Sequence, residues 1–324
     1  MSSVRPSRRA VVVALVVLLW AATASVAAAA PLPPGLPCDD EASGNGDDYP
    51  GPQASERYDR LFSRSHAVPH LRSRIPQGMA TWSNWKGDQD LLLITSYAPG
   101  EGDEPFHPTE HAYVIALDAR TGRHVGTAEM TPSHVGGIAV FEEQGWAFVS
   151  DAEGGKVRRF PLDRLRDAIT RSEFVQDTAP KQEVDSSSFL TSHGPTDTLW
   201  AGRFDPDGPA SMRSYLVAGD GTLTPGFATV EVPPGTQGAV VTEDAFVFSS
   251  SYGRNNTSTI TVVQRGGGDA SCSAAPSMAE APAVYGDDVY LVYESGASHY
   301  ADAADAPDND VEHLHRTPLR ELTG

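Results

Sequence analysis

The chain has 324 residues, with 24 lysines and arginines against 43 aspartates and glutamates, which gives a formal net charge of −19. Nucleic acids and anionic lipid surfaces repel so acidic a protein, so we exclude nucleic acid as a partner. No apolar run beyond residue 20 is long enough to span a bilayer, which argues against stable membrane insertion of the mature chain.

Residues 1–29 have the pattern of a cleavable signal peptide. Residues 1–9 carry three arginines, residues 10–20 are apolar, and small residues follow with an A-x-A pattern at Ala27 and Ala29. We therefore expect a secreted, extracellular protein, with an uncleaved N-terminal anchor as the alternative. Ser7, Arg8 and Arg9 resemble part of a twin-arginine signal, so the export route stays open.

Residues 30–53 are rich in Pro, Gly, Asp and Glu and predict an irregular arm. This arm contains Cys38, one of only two cysteines, and the other is Cys272. In an oxidising compartment an even pair is most simply one disulfide. We expect this bridge to tie the arm to a loop before the last structural unit.

From residue 54 to 324 the sequence changes to short apolar runs separated by Gly, Asp, Asn and Pro, which predict strands and tight turns. One helix is expected, over residues 162–174. A unit of three or four strands recurs five times, and each copy opens near a small residue. These residues are Gly78, Gly137, Ser188, Gly238 and Ala281. Their intervals of 59, 51, 50 and 43 residues fit propeller blades.

We therefore predict an all-β fold, a five-bladed β-propeller spanning residues 54–324, with two sandwich domains as the alternative. Small residues suit the innermost strands, which converge at the axis. The stretch from Phe148 to Asp151, a Gly turn and then Val157 to Phe160 resemble the blades of secreted bacterial propellers of the YVTN and NHL type. The resemblance is confined to repeats, and it implies a fold and a location but no activity.

Polar residues beside the small ones are expected to face the central channel. They are Gln77, His134, Ser187 with Ser188, Gln237 and Glu280. Because loops from five blades converge at a channel mouth, we predict ligand binding there by Gln77, His134, Gln237 and Glu280. The alternative is that these groups only satisfy backbone groups and water in a narrow pore.

The ends of the second strands supply another ring. Its members are Tyr97, Asp151, Arg203, Tyr252 and Glu294. Asp151 and Glu294 could join a cation site, and the alternative is that they are solvated turn acids.

Other residues carry no specific motif. Adjacent Ser-His pairs such as Ser133-His134 do not form a triad, and no G-x-S-x-G elbow occurs. His313 and His315 follow an acidic loop that contains Asp302 and Asp305, without metal-site spacing. No cofactor is expected, although calcium on this loop is left open.

The sequence favours a monomeric secreted propeller that binds a polar small molecule, a glycan or a protein at its channel mouth. The alternative is an extracytoplasmic enzyme, a lyase, hydrolase or acyl-transfer enzyme, with His134 and Glu280 as candidate catalytic residues. It would resemble the five-bladed glutaminyl cyclotransferases in architecture only. A structural protein of the cell envelope is a third hypothesis.

Overall fold

The computed structural model describes Cys38 and residues 48–101, 106–208, 210–267, 270–301 and 305–324. Twenty strands within these residues form five antiparallel sheets of four strands each. The first strands of the five sheets contact one another in a closed ring around a central axis. The predicted all-β, five-bladed propeller is therefore confirmed.

The first three blades follow chain order. Blade 1 contains β2 (Ile75–Lys86), β3 (Gln89–Tyr97), β4 (Ala112–Asp118) and β5 (His124–Met130). Blade 2 contains β6 (Ile138–Phe141), β7 (Trp146–Ser150), β8 (Lys156–Pro161) and β9 (Gln182–Glu183). Blade 3 contains β10 (Phe189–His193), β11 (Thr198–Gly202), β12 (Ala210–Val217) and β13 (Leu223–Val232), with a 3₁₀ turn at Gly194–Thr196.

The last two blades include the closure of the ring. Blade 4 contains β14 (Thr236–Val241), β15 (Ala245–Ser250), β16 (Ser258–Gln264) and β17 (Ala270–Ala275). Blade 5 contains β18 (Ala279–Tyr285), β19 (Asp288–Tyr293) and β20 (His313–Pro318). Its outermost strand is β1 (Ser63–Ala67), which comes from the start of the domain and pairs with β20. The two ends of the domain thus share one sheet.

Glycine occupies the first position of two hairpin turns. In blades 1 and 5 the first two strands are joined by two-residue turns that begin with Gly87 and Gly286. Both glycines have positive φ, 69° and 59°, which a residue with a Cβ adopts at a cost.

Small residues allow the innermost strands to approach closely. A Cβ on Gly78 would lie 2.8 Å from the Cα of Gly137, and one on Gly238 would lie 2.6 Å from the Cα of Ala281. In blade 3, however, it is Leu190 rather than Ser188 that faces Gly137. The small residues thus have the expected role, with the third unit shifted in register.

Within the part of the chain that the structure describes, four helices lie outside the sheets. They are α1 (Glu56–Leu61), α2 (Leu162–Arg171), α3 (Ser298–Ala301) and α4 (Leu319–Thr323). The predicted helix is α2, which buries Leu162, Leu165 and Ile169. It ends before residue 174 because Ser172 adopts a left-handed conformation with φ of 55°. No helix among the residues described is long and apolar enough to cross a lipid bilayer.

The predicted disulfide between Cys38 and Cys272 is present, and it spans 234 positions of the chain. Cys272 lies within β17, the outermost strand of blade 4, and not in a loop as predicted. The arm is also held by Asn309, whose amide donates to the carbonyl oxygens of Pro50 and Pro52. The predicted leader, residues 1–29, lies outside the described residues.

Candidate functional site

Three of the predicted channel residues lie at equivalent irregularities in the innermost strands. In blades 1, 4 and 5 the first strand contains one residue more than its partner, which is a β-bulge. The bulges fall between Pro76 and Met79, between Thr236 and Gly238, and between Ala279 and Pro282. They contain Gln77, Gln237 and Glu280. Since a bulge changes the direction of a side chain, its recurrence explains why these polar residues interrupt apolar strands.

The backbone beside the mouth adopts unusual conformations. Val135, which follows His134, has φ of 50°, and Met278, two residues before Glu280, has φ of 60°. Both side chains are buried. A positive φ is costly for residues with a Cβ, and most of all for a β-branched residue such as valine. The fold thus maintains strain on two sides of this opening, which is common at ligand sites.

The two predicted rings meet at the same end of the propeller. In a hairpin the first residues of one strand pair with the last residues of the next, as Ile75 does with Tyr97. Between blades 1 and 5, the amide of Gln77 donates a hydrogen bond to the carboxylate of Glu294. The hydroxyl of Tyr300, on α3, donates to the other Glu294 oxygen at 3.0 Å.

Glu280 and Glu294 form a carboxyl pair at this mouth. Their carboxyl groups lie close enough for each to affect the pKa of the other. Burial raises the pKa of Glu280 well above its usual value, and the neighbouring Glu294 raises it further. Burial also raises the pKa of Glu294. Because two ionised carboxylates repel each other and cannot hydrogen-bond, the pair favours a state with one shared proton and one negative charge.

Aromatic rings adjoin the carboxyl pair. The rings of Tyr97 and His134 lie 4.6 Å apart with an angle of 30° between their planes. The Tyr97 hydroxyl lies near that of Tyr300, which connects this ring pair to Glu294. Burial lowers the pKa of His134 to about 4, so its imidazole is neutral near pH 7.

His134 and Glu280 are connected only indirectly. The contacts run from His134 to Tyr97, then to Tyr300 and Glu294, and end at Glu280. No hydrogen bond joins the His134 ring to another described residue. An acid–base pair made of these two side chains therefore has no direct contact in this conformation.

The other members of the first ring make local contacts. The amide of Gln237 donates to the Ser251 hydroxyl at 3.4 Å. Ser187 is buried, whereas Ser188 is exposed and its backbone N–H donates to the carbonyl of Gly202 at 2.9 Å. Neither serine joins the cluster around Glu280.

The second ring divides into two groups. Tyr97 and Glu294 belong to the mouth. Asp151 instead pairs with Lys181 at 2.9 Å and Arg158 at 3.5 Å, while Arg203 pairs with Asp205 at 3.2 Å. Tyr252 is 60% exposed. Asp151 and Glu294 have no partner in common among the described residues, and a shared cation site stays a prediction.

A cavity of about 100 Å³ lies further along the same axis. All five innermost strands line it, and eight of its eleven lining residues have apolar side chains. The lining includes Met79, Ile138, Thr191, Val240 and Ala283. The polar cluster is thus confined to the starting end of the first strands.

The described residues contain no group of three side chains suited to a metal ion. Of the acidic loop, Asp302 lies outside them, and Asp305 forms an ion pair with Arg254. His313 contacts Arg64 at 2.7 Å, and buried His315 contacts the Tyr58 hydroxyl at 2.6 Å. Calcium on this loop stays a prediction.

Sequence reasoning missed Tyr300, which reaches the mouth from the loop between β19 and β20. No periodic signal marks this residue, because it follows the repeat unit and lies on the four-residue helix α3. The joining of the two rings could have been predicted, since hairpin pairing places the start of one strand beside the end of the next.

Comparisons with known proteins do not extend this account. No protein family and no curated protein matches the sequence. Hydrazine synthase of Kuenenia stuttgartiensis is a structural neighbour at 13% identity, covering 71% of this chain and 58% of its own, with a TM-score of 0.38. Hsv2 of Kluyveromyces lactis matches at 9% identity over 69% of this chain and 58% of its own, with a TM-score of 0.33. The chain thus spans under two thirds of either neighbour, and neither score supports a functional argument.

Proposed function

We propose that this chain is an extracellular β-propeller that binds a polar ligand, whether small molecule, glycan or peptide segment, at its channel mouth. Export is supported by the signal-peptide pattern of residues 1–29 and by the disulfide between Cys38 and Cys272. The resemblance of the second blade to YVTN and NHL repeats agrees with this location.

The observation that carries the proposal is the polar cluster of Gln77, Glu280, Glu294 and Tyr300 at one end of the axis. Buried polar groups cost free energy unless they are paired, and a carboxyl pair is among the costliest. A fold that needed only stability would place apolar residues there, as it does around the axial cavity. Retention of the cluster, with strained backbone at Val135 and Met278 beside it, is typical of a binding site.

The test is a ligand-detected NMR screen of sugars, amino acids and short peptides against the mature protein. Ligands that bind are then measured with His134→Ala and Gln77→Ala, which alter the mouth. The matched control is Phe227→Ala, because Phe227 is fully exposed on the outermost strand of blade 3. We expect both mouth variants to lose binding and the control to retain it. Ligands that bind all three variants as they bind the wild type would refute the proposal.

A catalytic function is the second candidate, and the shared proton of Glu280 and Glu294 favours it. Two carboxyl groups with one proton can supply a general acid and a general base. The catalytic roles would then fall to these two glutamates rather than to His134 and Glu280. Turnover of a ligand found in the screen, lost in both Glu280→Gln and Glu294→Gln, distinguishes catalysis from binding alone.

A further inference from the structure

Glu280 lacks the partners that a buried carboxyl group needs. Its side chain is only 2% exposed. Among the residues described, no amide, hydroxyl or guanidinium group donates a hydrogen bond to it, and its partner is the carboxyl group of Glu294. Gln77 and Tyr300 both donate to Glu294 instead. The pair therefore has more acceptor oxygens than donors.

The charges around the pair do not balance it. Arg254 is the cation that acts on Glu294, but its guanidinium also forms an ion pair with Asp305 and lies 4.9 Å from the Tyr300 ring. The other side chains that contact the pair, Gln77 and Tyr300, are uncharged, and so is His134 beyond Tyr97. Among the residues described, no cation is dedicated to the negative charge of the pair.

A monovalent organic cation fits this arrangement better than a metal ion. Calcium takes six to eight oxygen ligands, whereas the described residues offer two carboxyl groups and one amide here. A doubly charged ion would also have to displace the shared proton. Aromatic rings attract organic cations. The Tyr300 hydroxyl contacts Glu294, and the Tyr97 and His134 rings lie next in the cluster.

Access is from the side of Glu294. Glu294 and His134 are partly exposed, while Gln77, Tyr97, Glu280 and Tyr300 are buried. A ligand therefore meets the residues Glu294 and His134 before the buried members of the cluster. Deeper in the fold, Glu280 keeps the proton, because burial disfavours its charge most strongly.

On this basis we propose that the mouth binds a primary ammonium group, which donates hydrogen bonds to the Glu294 carboxylate while Glu280 retains the shared proton. This inference rests on the proposed function, since it assigns the ligand chemistry of the same mouth. Amino sugars and amino-terminal peptide groups both present such an ammonium group.

Calorimetry with two matched pairs of probes tests the charge. Glucosamine is compared with glucose, and alaninamide with N-acetylalaninamide, in two buffers of different ionisation enthalpy. We expect an amine to bind about tenfold or more tighter than its neutral counterpart, without net proton release. A response to glucosamine alone identifies an amino sugar, and a response to alaninamide alone identifies a peptide amine. Equal affinity within both pairs, absence of binding by either amine, or tighter binding of calcium with proton release would each overturn the inference.

Two isosteric substitutions test the assignment of the charge. In Glu294→Gln the remaining carboxyl group is the fully buried Glu280, which keeps its proton, so we expect amine affinity to fall by about 30-fold or more. In Glu280→Gln the charge on Glu294 is retained, so affinity should change by less than about threefold. The reverse order, or no effect of either change, would overturn the inference.

These outcomes also separate the inference from the function on which it rests. If neutral probes bind as well as the amines, and His134→Ala abolishes that binding, the mouth is a binding site for uncharged ligands. If ligands bind regardless of His134→Ala and Gln77→Ala, the proposed function itself is wrong.

Discussion

Two acidic residues at equivalent places in the fold, Asp151 and Glu294, have opposite surroundings. Each directly follows the second strand of its blade, β7 in blade 2 and β19 in blade 5. The Asp151 side chain, 4% exposed, is neutralised by Lys181 at 2.9 Å and Arg158 at 3.5 Å. It also accepts the backbone N–H of Glu153 at 3.0 Å.

Glu294 instead accepts hydrogen bonds from the Gln77 amide and the Tyr300 hydroxyl, and it lies beside the carboxyl group of Glu280. Neutral donors lessen the cost of its charge but do not balance it. The comparison shows that an acidic residue at equivalent positions of two blades can have different partners. An acid that is paired with cations within the chain contributes to the fold, and an acid left with an excess of negative charge is available to a ligand.

Removal of the cation beside Asp151 should have the largest effect. Arg158 is 1% exposed, and its guanidinium also donates to the carbonyl oxygens of Thr131 and Ser150. Arg158→Met leaves a buried charge poorly paired, so we expect a loss of about 3–5 kcal/mol in the free energy of unfolding, measured in urea. The control is Lys181→Met, whose side chain is 37% exposed and whose loss should cost about 1 kcal/mol or less. Similar small losses in both variants would contradict the structural role of this pair.

Removal of a carboxyl group from the mouth should instead stabilise the protein at neutral and alkaline pH. The pKa values of Glu280 and Glu294 are raised above 4.5, so the folded state holds protons that the unfolded chain releases. Stability from these protons is complete below pH 4.5 and is lost as the pH rises through the raised pKa values. The Glu280→Gln variant lacks one of the two carboxyl groups, so it avoids part of this loss of stability.

We therefore expect thermal melting from pH 4 to pH 9 to show Glu280→Gln gaining on the wild type as the pH rises, by about 1–2 kcal/mol at pH 8. If the stability of the two proteins changed with pH in parallel, the carboxyl pair would not reduce the stability of the folded state.

The smallest expected effect concerns His134. Burial lowers its pKa from 6.5 to about 4. Between these two pH values the unfolded chain therefore binds a proton at this residue that the folded state does not bind. Stability from the neutral ring is complete above pH 6.5 and is lost as the pH falls toward about 4. His134→Phe keeps a ring beside Tyr97 and removes this loss.

The melting temperature of His134→Phe should thus fall less than that of the wild type between pH 6.5 and pH 4, by the equivalent of about 1 kcal/mol or less because His134 is partly exposed. His315 titrates in the same window in both proteins, so the difference between them isolates His134. If the melting temperatures of the two proteins fell equally over this pH range, His134 would not be protected from water.

The repeat pattern predicted the blades because each blade must bury apolar second strands such as Leu91 to Ile94, which leave a clear signal. Closure of blade 5 by β1 was not predicted. Its sequence, Ser-Arg-Ser-His-Ala, is that of a polar edge strand, and it pairs with a strand about 250 positions away. Such pairing depends on the whole ring and leaves no local pattern.

The site was predicted in part for a similar reason. Gln77, His134 and Glu280 could be placed at one opening from their position beside small residues. The hydrogen bond from Gln77 to Glu294 depends on the bulge in β2, and the position of Tyr300 depends on how the loop after β19 folds back. Both are tertiary features that strand periodicity does not encode.

The most direct test of the account is a ¹³C NMR titration of the side-chain carboxyl groups of Glu280 and Glu294, assigned with Glu280→Gln and Glu294→Gln. We predict that the pair keeps one proton at neutral pH, and that each single variant changes the titration of the remaining carboxyl group. Addition of a ligand from the mouth should shift both signals. Two carboxyl groups that titrate independently near pH 4.5, with signals unmoved by any ligand, would contradict the claim that the mouth is the functional site.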